Sequence, residues 1–106
     1  MSFDVAEIRI VFVCEQRIER VRSRFRSLIS QGYERVSPDE LGNLALELLV
    51  TERMLKKALE VAMSEEEKRR IYELLSIIED LKEYVVRLYT MISMGRRRRR
   101  EVRWRR

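Results

Sequence analysis

Asp4–Ile29 reads DVAEIRIVFVCEQRIERVRSRFRSLI, and its period decides the fold class. Apolar residues recur at Val11, Cys14, Ile18, Val21, Phe25 and Leu28, a strict alternation of three and four, with Ile8, Phe12 and Ile29 widening the stripe. Steps of three and four keep side chains on one face of a helix. The β-branched run IRIVFVC (Ile8–Cys14) offers a strand as the rival reading. A strand would abandon the heptad that runs through it, so the spacing predicts a helix over about 4–31. Asp4 followed by Glu7 forms a capping box at its start, and Gly32 supplies a left-handed stop.

The next start signal is VSPDEL (Val36–Leu41). Ser37 is the N-cap, Pro38 takes the first helical position, Glu40 closes the capping box, and Val36 staples onto Leu41. A second helix follows to about Met63, with Leu41, Leu44, Leu48, Leu55, Ala58, Leu59 and Ala62 inward. Gly42 weakens its first turn by about 1 kcal/mol relative to alanine. Ser64 with Glu67 offers another capping box, and Glu65 and Glu66 suit the positive end of a helix dipole. The third stripe is Ile71, Leu74, Ile78, Leu81, Val85, Leu88 and Ile92, ending at Gly95. No Gly or Pro separates helices two and three, so one long helix is the rival reading. Register opposes it: the stripe through Leu41, Leu48, Leu55 and Ala62 would continue to Arg69 and Ser76, about 200° from the stripe that actually follows. A reversal near 62–65 is expected.

These segments predict an all-α fold, an antiparallel bundle of three long helices over residues 1–95 with an arginine-rich tail over 96–106. Each helix would be about 40 Å long, a length that short connections fold back on itself. Val13, Leu46, Leu49, Val50, Leu75, Ile77, Val86 and Tyr89 fall outside the stripes. One three-helix seam cannot absorb so many apolar side chains, which predicts a homo-oligomer or a helical partner protein.

The chain has 106 residues, enough for one modest core; 45% are hydrophobic and 39% charged. Arg dominates the bases, there is one Asn, two Gln, one Cys and no His, a pattern expected of a thermophilic protein rich in ion pairs. The lone Cys14 excludes an intrachain disulfide framework and suits a reducing, cytoplasmic setting. No apolar run approaches the ~18 residues of a membrane helix, so no membrane association is expected. Charge is unevenly placed: residues 1–36 sum to +2, residues 37–95 to −4, and residues 96–106 to +7. The net charge of +5 therefore comes from the C-terminal eleven residues.

Catalysis finds little to work with. There is no His, Cys14 lies on an apolar stripe, and Asp occurs three times. Glu79 and Glu83 are one turn apart but lack the matching Glu-x-x-His that would make a metal pair, so they read as a solvated face. Phosphate-binding loops and dinucleotide glycine patterns are missing. Neither an enzyme nor a cofactor nor a metal is expected.

The specific signal is GRRRRREVRWRR (Gly95–Arg106). Arg96, Arg97, Arg98, Arg99 and Arg100 repel one another unless an anion faces them. Guanidinium groups fork onto phosphate oxygens and stack on bases. Trp104, set among Arg103, Arg105 and Arg106, adds a surface on which an unpaired base can lie. Arg17, Arg20 and Arg24 share a face of helix one and can extend this footprint, or else pair with Glu15, Glu19 or acids of helix two. Nucleic acid, DNA or RNA, is the partner this chemistry suits best; an acidic protein, an anionic lipid and a solubilising role are the alternatives.

PDELGNLALELL (38–49) and IYELLSIIEDLKEYVVRLYTMISMGRRRR (71–99) resemble the helical domain of archaeal GINS DNA replication subunits, in which long helices lead into a basic stretch. The likeness covers roughly residues 33–100. It implies a non-catalytic scaffold in a replication assembly, with helices as contact surface. A helical adaptor or oligomeric scaffold, including a viral or chromosomal coat protein, whose tail grips an acidic partner is the competing expectation.

Overall fold

The structure, a computed structural model, describes residues 5–32 and 35–104, with side chains described for 10–32 and 35–94. Among these residues the chain is all-helical, with α1 at Val5–Gln31, α2 at Pro38–Val61 and α3 at Glu65–Trp104. Ile8–Cys14 is helical: burial on one face every three or four residues outweighs the β-branched preference of that run. The capping box expected of Asp4 and Glu7 lies outside the described residues.

Local chemistry sets the other boundaries. Gly32 has φ +94°, and its N–H donates to the Ile29 carbonyl at 3.1 Å, ending α1. Ser37 is extended, its Oγ accepts from the Glu40 N–H at 3.2 Å, and Pro38 opens α2. Val36 and Leu41 are both buried in the core, as the staple requires. Between α2 and α3 the chain reverses without glycine: Ala62 is extended, and Ser64 Oγ accepts from the Glu67 N–H at 3.1 Å.

The three stripes meet in one core that includes Cys14, Ile18, Phe25, Leu48, Leu55, Ile71 and Ile78. Val11, Leu59, Ala62, Leu81 and Ile92 are partly buried at its margins. The α1 stripe is narrower than expected, because Phe12 and Ile29 are exposed. Thr51, which the apolar pattern passes over between Leu48 and Leu55, is buried.

Polar and aromatic contacts join the helices. Arg17 meets Glu47 at 3.3 Å and Arg24 meets Glu40 at 3.2 Å between α1 and α2. Arg70 meets Glu15 at 2.8 Å, and the Phe25 and Tyr84 rings pack edge to face with centroids 5.7 Å apart, between α1 and α3. Lys82 joins Glu52 of α2 at 2.8 Å. The result is a rod of 73 × 21 × 17 Å. No described helix is long and apolar enough to cross a membrane.

One boundary departs from expectation. α3 does not end at Gly95 but continues to Trp104. A helical glycine costs only about 1 kcal/mol, arginine is a strong helix former, and cations at a helix C-terminus interact favourably with its dipole. Together these outweigh one glycine. The backbone of α3 thus runs about 18 Å past Ile92, the last apolar residue of its stripe.

Candidate nucleic-acid interface

The side chains of Arg96, Arg97, Arg98, Arg99, Arg100, Arg103 and Trp104, and the whole of Arg105 and Arg106, lie outside the described residues. What is described is the helical backbone that carries the run as far as Trp104.

The three arginines of α1 divide. Arg17 is engaged: its Nη2 is 3.3 Å from Glu47 Oε2, and its Nε donates to Thr51 Oγ1 at 3.2 Å. Arg24 Nη2 pairs with Glu40 Oε1 at 3.2 Å. Arg20 is exposed and has no ion pair among the described residues. Arg20, Arg24, Ser23, Ser27 and Glu47 line an open groove of about 450 Å³ between α1 and α2. With Glu47 on its wall and Glu40 on Arg24, the groove offers an incoming phosphate one uncommitted cation, Arg20. Phe25 packs against Tyr84, and Arg96 follows Tyr84 by twelve residues, about 18 Å along the axis.

Elsewhere some of the surface charges are joined in networks. Glu52 accepts from Lys82 at 2.8 Å and Lys56 at 3.3 Å, and Lys82 also reaches Glu79 at 3.1 Å. The hydrogen bond from Lys82 holds the Glu52 carboxyl below the ordinary range, against the opposing effect of burial. Arg70 is shared between Glu15 and Glu73. The patterns i,i+3 and i,i+4 were open to sequence reading; the inter-helix links needed the helix register.

Cys14 is fully buried, and burial pushes its thiol up, with Arg17 partly offsetting this. That is the environment of a packing residue rather than a thiolate nucleophile. Among the described residues no group of three or more Cys, Asp or Glu side chains converges as a metal site would need. No family model, curated protein or solved structure matches the chain.

Proposed function

We propose that this protein is a non-catalytic helical subunit that binds nucleic acid, DNA or RNA, through its arginine-rich C-terminal end. Its three helices act as an antiparallel bundle, a reading supported by the opposed directions of the Arg17–Glu47 and Arg24–Glu40 pairs. The observation that carries the function is the concentration of eight arginines and one tryptophan in the last eleven residues. The body is close to balanced, whereas the last eleven residues carry seven net positive charges.

A helix extending past the core suits contact with phosphates better than with base edges, because five adjacent cations repeat faster than any base-reading face does. Affinity then comes from released counterions, and Trp104 favours unpaired bases. The resemblance to GINS subunits extends the proposal to a replication assembly, in a cytoplasmic and thermophilic setting. Replacing Arg96–Arg100 by Gln keeps helix propensity and removes charge. Binding to a short oligonucleotide, followed by fluorescence anisotropy, should fall by at least about tenfold. Undiminished binding would overturn the proposal.

The second reading, a protein-docking adaptor, is favoured by the exposed apolar residues of α2 and α3, Leu46, Leu49, Val86 and Tyr89.

A further inference from the structure

The core face of α2 is centred on Leu48, which has no exposed surface. The opposite face should be polar on a helix packed on one side only. Instead Leu46 is 60% exposed, Leu49 47% and Val50 39%. At 100° per residue, Leu46 and Val50 straddle the line diametrically opposite Leu48, one on each side. Neighbouring helices extend this surface. Val86 and Tyr89 follow Lys82 on the side of α3 that meets α2, and Val13 precedes Arg17 on the side of α1 that meets α2. All three are exposed, forming an apolar belt around the middle of α2.

The charges along the same line are arranged about the same centre. Asp39 lies nine residues before Leu48 and Lys57 nine residues after it, both opposite the core, about 13.5 Å to either side. Both are exposed, and neither has an ion pair among the described residues. Arg53 is likewise exposed and unpaired among the described residues. Gly42, on the ridge one turn before Leu46, leaves open space where a Cβ would stand.

We infer that this face of α2 docks a second copy of the chain through a two-fold axis opposite Leu48, with the two α2 helices antiparallel. Such an axis sets Asp39 of one copy against Lys57 of the other, twice, and interleaves Leu46 with Val50 at the centre. Arg53 of each copy then passes over Gly42 of the other, on the way to Asp39. A self-complementary surface needs its charges placed oppositely about its own centre, and this helix places them so. The inference goes beyond the proposed function, assigning the apolar surplus of α2 to self-association, and is independent of nucleic acid binding.

Sedimentation of the full chain, nuclease-treated and at physiological ionic strength, tests it. The wild type should sediment as a dimer at tens of micromolar. Leu46→Lys should weaken dimerisation about a hundredfold, since each copy buries a charge at the centre of the interface. Asp39→Lys and Lys57→Asp should each weaken it about tenfold, by setting like charges together twice. Mixing those two variants should restore a heterodimer, because one copy then carries lysine at both positions and the other aspartate at both, so that each contact again joins opposite charges. Circular dichroism confirms that each variant remains helical; where Leu46→Lys does not fold, the mixing experiment decides alone. A wild type that stays monomeric at that concentration, or a pair of charge variants that fail to recover association on mixing, overturns the inference. Loss of oligonucleotide binding with an intact dimer would count against the proposed function and leave this interface standing.

Discussion

Arg17 Nε donates to Thr51 Oγ1 at 3.2 Å across the α1–α2 boundary, and Thr51 is 1% exposed. The same hydroxyl donates to the Glu47 carbonyl at 2.7 Å, while Arg17 Nη2 reaches Glu47 Oε2 at 3.3 Å. A buried hydroxyl without partners is costly, and here both its donor and acceptor roles are filled. Sliding α1 by one turn would leave the hydroxyl bonded only within α2 and part Arg17 from both Thr51 and Glu47, so this contact specifies register where leucines alone would tolerate slippage. Thr51→Val should lower stability by about 0.5–1.5 kcal/mol, the net value of a typical hydrogen bond. Thr51→Ala should cost more, because the methyl packing goes too. Urea midpoints unchanged in both variants would contradict this role.

Core substitutions should follow burial rather than position in the heptad. Leu48 has no exposed surface, whereas Leu81 is only partly buried at the core margin. Leu48→Ala should therefore cost about 2–5 kcal/mol, and Leu81→Ala distinctly less. Chemical denaturation that ranks Leu81→Ala as the more damaging would mean that the α3 stripe turns differently toward its neighbours.

The Glu52–Lys82 pair should shape the pH profile at both ends. A hydrogen bond from Lys82 lowers the Glu52 pKa, so the folded state binds fewer protons there than the unfolded chain. That stability is present above the unfolded carboxylate pKa of about 4.3 and is lost as pH falls through the lower folded value. Lys82 is raised, chiefly by its hydrogen bond to Glu52 and then by Glu79. Its contribution is complete below the unfolded value of about 10.4 and disappears as pH rises through the higher folded one. Lys82→Met should therefore flatten melting temperature against pH on both limbs. Wild-type and variant profiles that run parallel would argue against the coupling.

Two glycines should respond oppositely to alanine. Gly42 is helical with open space at the Cβ position, so Gly42→Ala should stabilise by about 0.5–1 kcal/mol. Gly32 has φ +94°, a region alanine adopts only under strain, so Gly32→Ala should destabilise by a similar amount or more. Thermal denaturation of the two single variants checks the contrast.

Sequence made the helices legible because their stripes, caps and stops agree. Ser37 with Pro38, Ser64 with Glu67, and Gly32 each mark a boundary that forms as written. The reversal at Ala62–Ser64 was legible from the shift in register alone. Thr51 was not, since a hydroxyl in an apolar stripe reads as a gap until Arg17 is known to face it. The continuation of α3 past Gly95 was hidden for a different reason: one glycine near a helix end is a stop only if the following residues have somewhere better to be. Of the interface, composition revealed the arginine run. The pairing of Arg17 and Arg24 to α2 acids, which leaves Arg20 uncommitted, required knowing which faces meet.

The salt dependence of nucleic acid binding is the measurement that bears most directly on the proposed function. If four to six of the C-terminal arginines meet phosphates, log affinity should fall against log salt with a slope of roughly −3 to −5, since each contact releases about 0.7–0.9 of a counterion. Removing residues 96–106, which lie beyond the last apolar residue of the α3 stripe, should leave the body helical and abolish that slope together with most of the affinity. A truncated protein that binds as tightly as the full chain, with the same slope, would place the contact elsewhere on the rod and contradict the role assigned to its arginine end.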